Sequence, residues 1–287
     1  AFAMKYTKAK KKVLSVHGIY SEQVDSLHSD TTTKAASVTE SKVLKWANKL
    51  TTDSKAVSEA YKKKLGVSFE VLYAPLDVTK FNDLPNVSKK ENQVIYIGRD
   101  SYEKGIDILR DVESKINGDV VYCTDLEWKE TMLELKASSV LVVPSRMESI
   151  PQVIKEAFFL NIPVVATKVG GIPELIEHEK NGLLVDPNNS EQLVNSVNEL
   201  LENQEKATNI AHAGHSFVIK NMAEREMLPA IYFIFSRRGC DRAVKDLLGS
   251  LRLVSDVEQA KIEARLSLYI KENSEGIRSG IHLDALR

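Results

Sequence analysis

Short β-branched runs alternate along this chain with longer segments in which apolar residues recur every three or four positions. Val13–Val16, Phe69–Tyr73, Val94–Ile97, Val120–Cys123, Val140–Val143 and Pro163–Ala166 read as strands. The helical period predicts helices over Lys42–Lys49, Ser54–Leu65, Gly105–Ile116, Trp128–Lys136, Pro151–Leu160, Ile172–Glu177 and Glu191–Glu202. Strands of about five residues followed by helices of about ten build βαβ units, so the expected class is α/β with parallel sheets covered on both faces. Asp83–Asn92, polar and broken by Pro85 and Asn86, reads as a linker between two such sheets.

Composition narrows the function classes. With 43% apolar and 28% charged residues over 287 positions, the chain is ordinarily globular, which excludes wholesale disorder. Its 39 basic and 40 acidic residues nearly cancel, and that argues against nucleic acid as a partner. Cys123 and Cys240 are far apart and form no C-x-x-C, which excludes a disulfide scaffold and a thiolate zinc site and fits a reducing, cytoplasmic location. His212 and His215 have no carboxylate or thiol beside them to complete a metal site and read as structural. No signal-peptide pattern is visible, and the apolar run Met227–Phe235 is interrupted by Pro229. Lys5, Lys8, Lys10, Lys11 and Lys12 form a basic arm, either a solvated helix face or a peripheral contact with an anionic membrane.

Basic residues also change type along the chain. Before residue 222 arginine occurs only at Arg99, Arg110 and Arg146 among many lysines; beyond it arginines outnumber lysines. Solvated positions accept either residue, so the reversal marks residues 223–287 as a tail of different origin.

Three predicted strands end in polar or glycine-bearing turns. Val94–Ile97 runs into Gly98-Arg99 and Lys104-Gly105, Val140–Val143 into Ser145-Arg146-Met147-Glu148, and Pro163–Ala166 into Gly170-Gly171. Open parallel sheets bind ligands beyond the carboxyl ends of their strands, so these tips should converge on one crevice. Arg99 and Lys104 would supply fixed cations suited to a diphosphate. Gly170-Gly171 permits close backbone approach, Pro151 places a helix N-terminus at the crevice, and Glu156 is an acceptor for ribose hydroxyls. Singly, these features read as a solvated ion pair, a turn and a surface carboxylate; their ordered succession points to a ligand.

The stretches VIYIGRDSYEKGIDIL (Val94–Leu109), SSVLVVPSRMESIPQVIKEAFFLNIPVVATKVGGIPELI (Ser138–Ile176) and NGLLVDP (Asn181–Pro187) resemble the donor-binding half of retaining GT-B glycosyltransferases of family 4, whose E-x7-E signature falls on Glu148 and Glu156. VLSVHGIY (Val13–Tyr20), Lys45–Val67 and Val71–Phe81 are similar to parts of that family's acceptor-side domain and crossover. The resemblance implies an incomplete GT-B architecture of Rossmann-like sheets: a partial N-terminal domain over 1–84, a complete donor-binding domain over 85–222, and the foreign tail over 223–287. It implies retaining transfer from a nucleotide-diphospho-sugar to a glycan, lipid or small-molecule acceptor, with no cofactor and no obligatory metal. His17, Arg99, Lys104 and Glu148 would be the catalytic group, and Gly98, Arg99, Lys104, Glu148, Ser149, Ile150, Val153, Glu156, Gly170 and Gly171 would line the donor site.

Two departures qualify that picture. Ser149-Ile150-Pro151 stands where the family usually has Gly-Phe-Gly, and proline supplies no amide hydrogen. The family's N-terminal domain is also longer, so this chain is expected to bind donor but transfer poorly. Leu228–Asp241 is similar to the opening strand of the second motor domain of superfamily-2 RNA helicases, but no G-x-x-x-x-G-K-[ST] loop occurs in the chain. The alternatives are a non-catalytic chimera or donor-binding remnant, and an RNA-helicase-related protein.

Overall fold

The computed structural model describes residue 5 and residues 8–18 and 30–224. Two parallel sheets lie within one compact unit spanning residues 1–219. The first has strand order β1-β2-β3: β1 (Val13–Val16), α1 (Asp30–Leu44), β2 (Lys49–Thr52), α2 (Lys55–Leu65) and β3 (Glu70–Val71). Leu14, Val16 and Leu50 from its strands pack on Leu44, Val57, Tyr61 and Phe69, with the Tyr61 and Phe69 rings 4.7 Å apart. Ser54 caps α2 by accepting from the Val57 amide at 3.3 Å, and Gly66 ends the helix in the left-handed region at φ +67°.

Residues 82–92 then run without strand or helix to the second sheet. It contains β4 (Gln93–Ile97), α3 (Ile106–Val112), β5 (Asp119–Cys123), α4 (Trp128–Ala137), β6 (Val140–Val143), α5 (Gln152–Phe159), β7 (Val164–Thr167), β8 (Leu183–Val185) and α6 (Ser190–Glu202). Helix α7 (Gln204–Glu224) follows. Strand order is β5-β4-β6-β7-β8, so the chain steps outward from β4 to β5 and then returns past β4 to β6. That reversal opens a crevice at the carboxyl ends of β4 and β6. Every residue of β6 and β7 is buried, the reason both read as unbroken apolar runs.

The structure corrects several expectations. The helix expected over Lys42–Lys49 lies upstream, ending at Leu44, and residues 49–52 form β2 instead. The Lys12 carbonyl accepts from the Asn48 and Lys49 amides at 2.8 and 3.2 Å, steering the chain alongside β1. Thr51 and Thr52 are buried between β1 and β3, so tertiary pairing overrides the local helical pattern. Ile172–Glu177 shrinks to a 3-10 turn, Ile172–Glu174, with Pro173 inside it; beyond the turn, the Asn181 amide group accepts from Glu177 N at 2.7 Å and donates to Leu175 O at 3.0 Å. Pro151 is the N-cap of α5, one residue before its first turn. Lys8–Lys12 form no helix, because Lys12 is tied by its amide to Asn48 Oδ1 at 2.8 Å and leads directly into β1. Strand β8, at three residues, was too short to predict from periodicity. Among the described residues no helix is long and apolar enough to cross a membrane. The helicase-like segment Leu228–Asp241, the run Met227–Phe235 and Cys240 lie outside the described residues.

Candidate functional site

The turns after β4, β6 and β7 meet at the switch point. Lys104, at the end of the 3-10 turn Tyr102–Lys104, donates from Nζ to Glu148 Oε1 at 2.6 Å, and Ser145 Oγ donates to the same oxygen at 2.9 Å. The Glu148 side chain is 9% exposed and that of Lys104 24%, so this pair is sheltered at the floor of the crevice. Arg99 is different: its guanidinium pairs with Glu103 at 2.9 Å but is 74% exposed. Tyr96 braces the turn, its hydroxyl donating to Arg99 O at 2.8 Å; burial pushes its phenol well above the ordinary range and keeps it protonated.

Arg146 staples the β6 turn to the β4 turn. Its Nη atoms donate to both carboxylate oxygens of Asp107 at 2.7 Å, its Nε donates to Asn188 Oδ1 at 3.0 Å, and its guanidinium lies 4.1 Å from the Tyr102 ring centroid. The backbone adds two further links, Arg146 N and Met147 N both donating to Glu103 O. Gly170 completes the cradle. It sits at φ +52°, and a Cβ there would lie 1.8 Å from Glu148 O, so the β7 turn presses its bare backbone onto the β6 turn. Gly171 N donates to Ser149 O at 2.8 Å. Ser149 and Ile150 are buried, and Val153 is half-buried on the first turn of α5.

Glu156, half-buried one turn into α5, accepts from the Trp128 indole N–H at 2.9 Å. Burial raises its carboxyl above the ordinary value, against the opposing effect of the Trp128 hydrogen bond. Phe81, from the 3-10 turn Val78–Phe81, packs edge-on to Trp128 at 5.1 Å and against Phe159 at 4.7 Å.

The first sheet supplies a facing wall. His17, just beyond β1, hydrogen-bonds through Nδ1 to Asp53 Oδ2 at 2.9 Å and through Nε2 to Ser15 Oγ at 3.1 Å. Ser149 Oγ donates to the other oxygen of Asp53, which links the two sheets. Beside it, Glu174 accepts from Ser54 Oγ at 2.8 Å, Ala56 N at 2.9 Å, Lys55 N at 3.1 Å and the Tyr73 hydroxyl at 2.7 Å. Burial raises the Glu174 carboxyl, yet the hydrogen bonds outweigh it and hold the group below its ordinary range. Glu174 therefore plugs the N-terminus of α2, where free amides and the helix dipole favour an anion.

Of the sequence-predicted residues, Lys104, Glu148, Ser149, Gly170 and Gly171 come together around the β6 turn, and His17 reaches Ser149 through Asp53; Glu156 is joined to Trp128 and Arg99 to Glu103. Sequence reasoning missed Asp53 and Glu174, and the bond that Trp128 makes to Glu156. The one available signal was Glu174's place directly after Gly170-Gly171 and Pro173. Elsewhere His215, which is buried, hydrogen-bonds through Nδ1 to the Phe158 and Phe159 carbonyls at 3.3 and 3.0 Å.

The fold is the parallel α/β arrangement of GT-B glycosyltransferases. Residues 112–217 match the family model described as Glycosyl transferases group 1. Sulfoquinovosyl transferase SQD2 of Arabidopsis thaliana is 30% identical over 147 residues, which is 42% of this chain and 29% of that protein. The chain spans 24% to 37% of the length of that relative and two glycosyltransferases of Methanocaldococcus jannaschii. Among solved structures, sucrose-phosphate synthase from Thermosynechococcus elongatus superimposes with a TM-score of 0.62 at 19% identity, over 76% of this chain and 65% of that one. Anabaena Alr3699/HepE in complex with UDP-glucose gives 0.59 at 22% identity, over 72% of this chain and 67% of that one.

Proposed function

We propose that this chain binds a nucleotide-diphospho-sugar at the carboxyl ends of β4, β6 and β7 and belongs to an enzyme that transfers the sugar, with retention, to a glycan, lipid or small-molecule acceptor. The observation that carries this reading is the meeting of the turns after β4, β6 and β7 at the switch point, where Lys104 is bonded to Glu148 and the Gly170 backbone is pressed against it. The match to glycosyl transferases group 1 and the named transferases among the relatives support it.

Lys104 carries three donor protons, so it can keep Glu148 and still donate to a phosphate. Arg99, exposed and held by one surface ion pair worth at most about 1 kcal/mol, swings onto the diphosphate at little cost. Together they stabilise the charge that develops as the bond from the sugar's anomeric carbon to the phosphate oxygen breaks. The acceptor oxygen forms its bond on the same face, and its proton passes to the leaving phosphate oxygen. Glu156 accepts from ribose hydroxyls, Glu148 from those of the transferred sugar, and His17 faces the reacting sugar from the first sheet. In this reading no metal is required.

Calorimetric titration of the full chain with UDP-glucose and GDP-mannose tests the proposal, followed by assays of transfer and donor hydrolysis on the same preparation. Binding that weakens in K104A and E156Q is the expected result. A chain that binds neither nucleotide sugar nor UDP or GDP overturns it.

A further inference from the structure

Asp53 holds an unusual position for a carboxylate outside the predicted site. Its side chain is 9% exposed, and its two oxygens are taken by partners from opposite walls of the crevice: His17 of the first sheet at Oδ2 and Ser149 of the second at Oδ1. His17 is its opposite, with a side chain 61% exposed and both ring nitrogens engaged, one by Asp53 and one by Ser15. Ser149 adjoins Glu148, and its carbonyl also receives the Gly171 amide. One buried carboxylate thus connects the loop that carries Glu148 to the histidine across from it.

We propose that Asp53 is the positioning residue of this site: it fixes the tautomer and orientation of His17 and makes both depend on the seating of the Ser145–Ser149 loop. A carboxylate only accepts, so His17 Nδ1 must carry the proton, and Nε2 of the neutral ring accepts from Ser15 Oγ. Oδ1 is satisfied only while the loop holds Ser149 against it; loop displacement frees that oxygen and changes the charge that Oδ2 presents to the ring. The link to catalysis rests on the transferase reading; the link between loop and histidine does not.

The test is nitrogen-15 NMR of the His17 ring in the full chain, in D53N and in S149A. Asparagine fills the same space, with Oδ1 accepting from Ser149 and Nδ2 donating to His17, so in D53N the ring proton should move from Nδ1 to Nε2. S149A keeps the carboxylate and should shift the His17 Nδ1 resonance without changing the tautomer. A ring pattern in D53N identical to that of the unaltered chain overturns the proposal. So do S149A resonances for His17 that coincide with it. Where UDP-glucose is turned over, D53N should lower kcat by roughly tenfold or more with a smaller change in donor affinity, the pattern of lost orientation; the reverse split, or no loss of kcat, counts against the catalytic link. Failure to bind UDP-glucose would count against the transferase reading alone and leave the histidine measurement standing.

Discussion

Replacing Gly170 with alanine tests whether the crevice is built on backbone contact between two turns. At φ +52° a β-carbon meets the carbonyl of its own unit, a cost of about 1–2 kcal/mol for a non-glycine residue in the left-handed region. The same β-carbon would sit 1.8 Å from Glu148 O, so the Glu148 turn must retreat by roughly 1.5 Å, an overpacking cost of about 1–3 kcal/mol. The expected loss for G170A is therefore about 2–5 kcal/mol. Gly66 supplies the control, since it sits at φ +67° with nothing within 4 Å of its imagined β-carbon. G66A should cost only the backbone share, about 1–2 kcal/mol. Urea denaturation followed by circular dichroism measures both, compared through the midpoint at constant slope. G170A should also weaken UDP-glucose binding, because the turn that moves carries Glu148, whereas G66A should leave binding intact. Equal losses of stability in the two variants, within about 0.5 kcal/mol, would refute the reasoning and show the turns to be separable.

Three further outcomes are expected. R146K loses the fork that grips both oxygens of Asp107 and should cost about 1–3 kcal/mol in urea denaturation. The hydrogen bond from Arg146 is the main reason that Asp107 is held below its ordinary value. The stability this gives is present above the unfolded-state value and is lost as pH falls through the lower folded-state value, so R146K should flatten the acid limb of stability against pH. E174Q removes the charge that four donors from the first sheet surround and should destabilise by about 1.5–3 kcal/mol, with the same direction of acid dependence; an unchanged midpoint from acid to neutral pH would refute this. For Glu156 the sign reverses, since burial raises its folded-state carboxyl: its contribution to stability is present below the unfolded-state value and lost as pH rises through the folded one. E156Q should therefore leave neutral-pH stability equal or higher while weakening UDP-glucose binding; parallel losses of both would assign Glu156 to folding alone.

The second sheet was legible in the sequence because its information is local. Strands β4, β6 and β7 are almost wholly buried, so each reads as an apolar run, and each ends in a turn whose polar residues follow within a few positions. Lys104 and Glu156 could be singled out from that succession, and Glu148 through the family resemblance. The seam with the first sheet is not local. Ser149 reaches Asp53 across 96 residues and Glu174 reaches Ser54 across 120, and neither carboxylate carries a mark of its partner in the neighbouring sequence.

Strand β2 shows why this failure runs deeper than distance. Its sequence, Lys49-Leu50-Thr51-Thr52, contains one apolar residue and fits a helical pattern as well as a strand. What makes it a strand is parallel pairing on both sides, Thr52 standing opposite Val16 and Val71, and the ion pair from Lys49 to Glu70 on β3. That pairing fixes which residue leaves the sheet beside His17. With Thr52 opposite Val16, Asp53 follows opposite His17; a slip of one residue would present Ser54 there and reverse the faces of the whole strand. Asp53 and Ser54 take partners from different turns of the second sheet, Ser149 and Glu174, so the slip would break both connections at once. The wiring between the two walls of the crevice thus depends on a register that a mostly polar four-residue strand holds through its neighbours.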